Sequence, residues 1–242
     1  MQNQRTASEI AHANAVRSMF SGIASRYDLL NHLLSLNIDK RWRKAVSDEL
    51  GRILDVPEAV VLDVACGTGD LSLELNKRAK AQVIGSDFCR PMLEIAKTKS
   101  AGEQHAIPYL EADAMRLPFG DGQFDAVTIA FGLRNLANVA EGLRELHRVL
   151  KKGGRLAVLE FSTPMVPGFG ALFNLYFSQV LPRIGGAVSG SRSAYEYLPG
   201  SVAKFPDQKT LAAMMENEGF IDVKFRNLTG GIAALHSGTK TI

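Results

Sequence analysis

The run Val60-Val61-Leu62-Asp63-Val64-Ala65-Cys66-Gly67-Thr68-Gly69-Asp70-Leu71 leaves this chain few folds to choose from. Its apolar start, Val60 to Ala65, has the length and β-branching of a buried strand. It passes straight into Gly67-Thr68-Gly69, and Leu71, Leu73 and Leu75 then set a helical pattern. Strand, glycine turn and helix in succession is how an open α/β sheet receives a nucleotide-like ligand at the carboxyl ends of its strands. Glycines lack a Cβ, so the backbone can turn sharply and a ligand can come close. The helix start beyond them offers unpaired N–H groups. Gly67 and Gly69 are therefore candidate ligand-binding residues.

Two cofactor classes use such a turn. A dinucleotide fold wants G-x-G-x-x-G, and Ser72 stands where the third glycine belongs. That argues against an NAD-dependent oxidoreductase, the rival enzyme class. Asp63-x-x-Cys66-Gly67-Thr68-Gly69 instead resembles motif I of class I S-adenosylmethionine (SAM) methyltransferases. Roughly twenty residues on, Ile84-Gly85-Ser86-Asp87 ends a second strand with an acid, the spacing of a ribose-hydroxyl ligand in either class. Glu111-Ala112-Asp113-Ala114 closes a third strand.

Composition narrows the setting. The chain has 242 residues, 46% hydrophobic and 22% charged, which suits one large α/β domain with its own core. A net charge of +3 is too small to argue for nucleic acid. No basic or aromatic RNA-binding module stands apart from the rest. The two cysteines, Cys66 and Cys89, form neither a disulfide framework nor a metal site. The start has no apolar core for a signal peptide, and no apolar run is long enough to span a bilayer. A cytoplasmic protein is expected.

In chain order, Met1 to about Glu9 reads as a polar tail, and Ile10 to Trp42 has helical tendency. Asp39 is placed to cap a helix carrying Arg41, Trp42, Arg43 and Lys44, with Gly51 as its stop. This N-terminal segment is expected over the sheet's ligand edge. Tyr27 there faces either substrate or core, while His32 suits packing better. A helix to about Lys80 follows the glycine turn. Strands are expected at Gln82–Asp87, Ile107–Glu111, Phe124–Ala130 and Arg155–Phe161. A helix from Val139 to Leu150, containing a structural or exposed His147, ends at Gly153-Gly154. Phe169, Leu172, Phe173, Tyr176, Phe177, Val180 and Leu181 share one helix face, which suits a core helix, with a lid or a membrane contact as alternatives. A glycine-rich patch reaches Ser193. A last helix spans Leu211 to Glu218, and a hairpin closes the chain with Phe220–Leu228 and Ile232–His236.

Five further runs carry a specific resemblance: Phe20-Ser21-x-Ile23-Ala24-x-x-Tyr27-Asp28, Phe131-Gly132-Leu133-Arg134-Asn135, Tyr195-x-Tyr197-Leu198-x-x-Ser201, Phe205-Pro206, and Asn227-Leu228-Thr229-Gly230-Gly231-Ile232-Ala233. With motif I they make the chain, from Met19 to Lys240, similar to the menaquinone/ubiquinone biosynthesis C-methyltransferases. The resemblance implies a Rossmann-like class I methyltransferase fold. That fold is a mostly parallel seven-stranded sheet with an antiparallel strand in a C-terminal hairpin. Residues 1–55 form a helical cap within the same domain, and 56–242 carry the methyltransferase fold with a lid-like insertion around 164–205. It implies SAM contacts at Thr68, Asp87, Asp113 and Ala114. Many members have Asn where Asp113 stands; either side chain can bond adenine-edge groups, through different atoms. Ala130 is also an expected cofactor-binding position, although it stands where Ser is common and offers no hydroxyl.

The same resemblance implies methylation of a ring carbon on a polyprenylated hydroquinone. Demethylmenaquinol is the leading acceptor, and the benzoquinol precursor of ubiquinone or another small aromatic is the alternative. The prenyl tail implies peripheral contact with the inner face of the membrane, and an oligomer is left open. Ring methylation needs a phenolate, and ionising a phenol of pKa about 10 at neutral pH costs roughly 4 kcal/mol. A nearby cation lowers that cost. Arg134 is the expected cation, Asn135 the hydrogen-bond partner of the ring oxygen, and Tyr195 and Tyr27 further ring contacts. A binding protein that has lost catalysis is the non-enzyme alternative, and turnover of a short-chain naphthoquinol would exclude it.

Overall fold

The buried β-branched runs pair into one sheet of seven strands. The computed structural model describes residues 6–35, 37–162 and 192–241. The strands are β1 (Val60–Val64), β2 (Gln82–Asp87), β3 (Tyr109–Glu111), β4 (Phe124–Ala130), β5 (Leu150–Phe161), β6 (Phe220–Leu228) and β7 (Ala233–Lys240). Their order is β3-β2-β1-β4-β5-β7-β6. Only β7 runs antiparallel to its neighbours. The order reverses between β1 and β4, and ligands bind outside the carboxyl ends of strands at such a point.

Helices cover both faces because β1 is apolar on both. Val61 and Leu62, each 0% exposed, face opposite layers. On one side lie Leu71 and Leu75 of α4 (Asp70–Asn76), with Trp42, Val46 and Leu50 from α2 (Ile38–Glu49) and its end. On the other lie Leu143 and Leu146 of α6 (Val139–Val149), with Leu211 and Met215 of α8 (Gln208–Asn217). Asp207 caps α8 by accepting from Thr210 N–H at 2.8 Å.

The cap segment is α1 (Ala7–Leu34), α2 and the short α3 (Gly51–Leu54). Trp42 ties it to the C-terminal turn, its Nε1–H donating to Thr229 Oγ1 at 2.9 Å. Helix α1 runs beside α5 (Arg90–Ser100), with Ala24 packed near Met92.

Several bounds differ from the sequence reading. Helix α1 already begins at Ala7. Asn37, not Asp39, occupies the N-cap of α2, and Gly51 opens a further helical turn instead of ending the chain's helix. Asp39 instead receives Ser35 Oγ and Arg43. Strand β5 starts at Leu150 because Lys151–Gly154 loop out between the pairings Phe124–Leu150 and Ala126–Arg155. Strand β7 continues to Lys240, past a weak apolar pattern, because β5 and β6 pair with it on both sides. Helix α7 (Arg192–Lys204) carries Pro199 inside it, where the missing N–H would argue for a break. The amphipathic face from Phe169 to Leu181 lies outside the described residues.

Candidate active site

The glycine turn holds the strained backbone of the site. Ala65 and Phe131 follow the ends of β1 and β4 with φ of 51° and 57°, a region side chains other than glycine rarely occupy. Such outliers gather where a ligand site fixes the backbone. Gly132 explains why the two turns meet: a Cβ there would lie 2.6 Å from Ala65 Cβ. Gly69 has φ of 82°, and a Cβ on it would lie 2.8 Å from Tyr109 Oη.

Asp87 braces the turn with both oxygens. Gly67 N–H donates to Oδ2 and Cys89 N–H to Oδ1, each at 2.8 Å. Burial pushes its carboxyl up to about 6, against the pull of these N–H bonds. Asp63 sits one strand away, receiving Ser72 Oγ at 2.6 Å and Thr128 Oγ1 at 2.8 Å. Burial raises it to about 6 as well. Ser72, the residue that spoiled the dinucleotide pattern, thus serves this acid.

A cavity of about 230 Å³ opens over the turn. Asp87, Asp113 and Ala114 line one end, and Ala130, Phe131 and Asn135 the other. Helix α1 forms its outer wall through Arg17, Phe20 and Tyr27. A second cavity of about 40 Å³ continues past Gly67 and Tyr27 and is lined by Arg43, Asp63, Thr68 and Asp70. Of the expected residues, Gly67, Asp87, Asp113, Ala114, Ala130, Tyr27 and Asn135 therefore share the main cavity.

Four expected residues do not line the main cavity. Gly69 shapes the turn against Tyr109. Thr68, 2% exposed, gives its hydroxyl to Asp28 of α1, which also meets Lys99 Nζ at 2.7 Å. Arg134 lies beneath the loop after β4. Its Nη1 donates to Phe131 O at 2.5 Å and pairs with Glu160 Oε2 at 3.0 Å. Tyr195 falls in the first turn of α7, and its side chain lies outside the described residues.

Other residues joined the site without being singled out. Tyr197 Oη donates to Asn135 Oδ1 at 3.2 Å, and His12 Nε2 lies 3.1 Å from Asn135 O. Glu160 had a signal: a lone acid in the apolar run Leu156-Ala157-Val158-Leu159-Glu160-Phe161 needs a partner. His32 turns away from the cavity, with Nδ1 2.8 Å from Asp39 Oδ2. His32, Asp39 and Asp70 offer ligand atoms within 4.8 Å of one another, but Arg43 already contacts both carboxylates. His147 is structural, packing edge-on against Phe220 at 5.0 Å.

The donor set suits SAM. Asp87 and Asp113 offer acceptors to a nucleoside, Met92 and Ala112 offer apolar contact, and the buried acids suit a sulfonium. Sheet order, turn and acid-ended strands together define a class I SAM-dependent methyltransferase. Solved structures agree on the fold. A SAM-dependent methyltransferase from Thermotoga maritima, described as a possible histamine N-methyltransferase, has a TM-score of 0.64 at 19% identity, over 93% of this chain and 99% of that one. One from Aquifex aeolicus gives 0.59 at 20% identity, over 81% and 88%.

The model of the ubiE/COQ5 methyltransferase family matches residues 7–240, and the chain belongs to that family. The demethylmenaquinone methyltransferase of Deinococcus radiodurans is 51% identical, over 93% of this chain and 92% of that one. Its namesake from Thermus thermophilus is 51% identical, over 92% and 100%. The ubiquinone/menaquinone biosynthesis C-methyltransferase UbiE of a Geobacter species is 48% identical, over 93% and 96%. The chain is thus a SAM-dependent methyltransferase.

Proposed function

We propose that this enzyme methylates a ring carbon of a polyprenylated hydroquinone, converting demethylmenaquinol to menaquinol. The observation that carries the reading is the meeting of the Phe131–Asn135 loop with the glycine turn in one cavity. Relatives named for the same reaction at 51% identity support it.

SAM supplies an electrophilic methyl when bound. The nucleoside lies along Asp87, Asp113 and Ala114, with Gly67 and Ala130 lining its path. The acceptor ring lies between Tyr27, Phe131 and Asn135, where Asn135 can donate to a ring oxygen. Arg134 favours the phenolate electrostatically. Its charge already acts on the phenols of Tyr27 and Tyr197, opposing the rise that burial gives each of them. A hydroquinone oxygen in the same space feels the same field. Glu160 offsets part of this charge and fixes where the guanidinium sits. Tyr195 is a further ring contact. Tight walls exclude water and hold the reacting atoms in line, from which a methyl transfer gains most.

Among the described residues no helix is long and apolar enough to cross a membrane. The acceptor's tail resides in the bilayer, so the enzyme meets the membrane peripherally from its cytoplasmic side. Liposome flotation tests that contact. A methyl-transfer assay with naphthoquinol and benzoquinol acceptors side by side tests the reaction. Faster turnover of the naphthoquinol is expected. Preference for the benzoquinol would assign the ubiquinone precursor instead, and no transfer to either would overturn the reading.

A further inference from the structure

Asn135 lines the acceptor end of the main cavity, and its amide is held on two sides. Nδ2 donates to Phe131 O at 3.2 Å, and Oδ1 accepts from Tyr197 Oη at 3.2 Å. A backbone carbonyl can only accept, so Phe131 O fixes which end of the amide faces it. The other end is then the oxygen, and the tyrosine hydroxyl must donate to it. An Asn amide carries two N–H groups, and one goes to Phe131 O. Among the described residues the second has no partner, and it is left for the cavity.

Tyr197 acts from outside that space. It stands on α7 and does not line the cavity. Its neighbours Leu198 and Val202, one helical turn apart, pack with Phe161 of β5 against Ile23 of α1. Apolar contacts that do not involve Asn135 therefore anchor the turn that carries the hydroxyl. Burial raises the Tyr197 phenol, so it stays a donor through neutral pH and into the alkaline range. The backbone of Asn135 is held as well, with His12 Nε2 3.1 Å from its carbonyl.

Which amide atom meets the acceptor's ring oxygen decides the protonation state of that oxygen. A donated N–H favours the phenolate, because a hydrogen bond to the charged form lowers the pKa. A free Oδ1 would accept from the neutral hydroxyl and keep it protonated. Ring methylation needs the first arrangement. We propose that Tyr197 is a positioning residue: by occupying Asn135 Oδ1 it leaves Asn135 only an N–H to give the ring oxygen, and so selects the phenolate. This rests on the placement of the acceptor ring beside Asn135 proposed above.

Tyr197→Phe removes the hydroxyl and keeps the ring. The charged and titratable groups around it stay in place. Arg134 and Glu160 act on Tyr197 from the loop and from β5, and His12 meets Asn135 from α1. Arg17 and Tyr27 share the cavity with Asn135, and Asp87 and Asp113 line its far end. A difference between the pH profiles of variant and wild type therefore belongs to the hydroxyl.

The test is single-turnover methyl transfer to a short-chain naphthoquinol at saturating SAM, from neutral to alkaline pH. Tyr197→Phe is expected to be about threefold to 30-fold slower at neutral pH. Its SAM affinity should be unchanged in calorimetry, and its rate should approach that of wild type as pH rises. The comparison across pH is internal to each variant, so a partial loss of folded enzyme does not imitate it. A deficit equal at every pH, or no deficit, overturns the proposal. Asn135→Ala should be slow in the same pH-dependent way, and adding Tyr197→Phe to it should slow it no further. An independent further loss in the double variant also overturns the proposal. Wild-type turnover by Asn135→Ala would overturn the ring placement and the proposal together. A slow Asn135→Ala beside an unimpaired Tyr197→Phe would overturn the proposal alone.

Discussion

Arg134 Nη1 stands 3.0 Å from Glu160 Oε2, with the two side chains 6% and 1% exposed. The backbone N–H of Arg134 also donates to Glu160 Oε1 at 3.1 Å, and Nη1 to the carbonyl of Phe131. Removing either side chain leaves an uncompensated charge in the interior. Urea unfolding of Arg134→Ala and Glu160→Ala should each show a loss of about 3–5 kcal/mol. The double variant should lose less than the sum. Additive losses would show that the pair does not act as a unit.

The same arginine has a catalytic signature separable from stability. At temperatures where Arg134→Ala remains folded, it should bind SAM nearly as wild type and transfer methyl more slowly. Lys should restore part of the rate, because it keeps the charge and loses the planar fork. Raising the pH should partly restore the Ala variant as more acceptor ionises unaided. A rate deficit that stays constant with pH would leave Arg134 a loop support only.

Gly132 and Gly102 separate packing from glycine's general effect. A Cβ on Gly132 would lie 2.6 Å from Ala65 Cβ, and one on Gly102 would meet nothing within 4 Å. Neither has a positive φ. Gly132→Ala should therefore cost about 1–3 kcal/mol by overpacking and weaken SAM binding, since it displaces one turn from the other. Gly102→Ala should be neutral or stabilise by about 0.4–1 kcal/mol through the unfolded chain. Thermal melts with and without SAM would read both effects.

The sequence made legible what repeats locally. Strand β1, the glycine turn, the acid at the end of β2 and the loop after β4 follow from apolar runs and punctuation. Chain-distant choices of partner did not. Thr68 stands in the expected turn, and the partner of its hydroxyl, Asp28, lies 40 residues earlier in the chain. Arg134 was expected as the cation beside the acceptor ring, and its pairing with Glu160, near the end of the next strand, was not legible. Arg43 was placed only as one of four residues on a capped helix, because nothing local shows that α2 brings it to Asp70 at the glycine turn. Pro199 hid α7, since a missing N–H is penalised locally while packing of Leu198 and Val202 against α1 acts at long range.

Asp28 gives a test of how firmly α1 holds the cofactor cleft. It accepts the Thr68 hydroxyl and pairs with Lys99 Nζ at 2.7 Å. The side chains of Asp28 and Lys99 are each 27% exposed, so their ion pair is worth little to global stability. Asp28→Asn should lower the unfolding free energy by about 1 kcal/mol or less. Hydrogen exchange should nevertheless rise across the C-terminal half of α1 and at the turn, and SAM should dissociate faster. Exchange unchanged in α1 would mean that apolar packing at Ile23 and Ala24 alone fixes the helix.

Asp87 links cofactor binding to protons. Its folded pKa is raised to about 6 from an ordinary value of 3.8, with burial the main cause. An acid raised in the folded state stabilises the apo-protein below its unfolded pKa, and that contribution is lost as pH rises through about 6. Ribose hydroxyls donating to the carboxylate favour its charged form, so SAM binding should release protons near pH 6 and strengthen as pH rises through that value. Calorimetry in buffers of different ionisation enthalpy reads the proton count. His147 and His236, lowered by burial, act in the opposite direction on stability over the same window. The comparison is therefore with Asp87→Asn, which keeps both histidines. Its amide faces a backbone N–H, a cost that does not vary with pH. The variant should bind SAM about tenfold to 100-fold more weakly at neutral pH, with an affinity that varies less between pH 5 and 7 than that of wild type, the remaining change belonging to Asp63, which burial also raises to about 6. Its apo stability relative to wild type should rise over that interval. A wild-type affinity that is itself flat across pH 6 would remove Asp87 from the nucleoside contact.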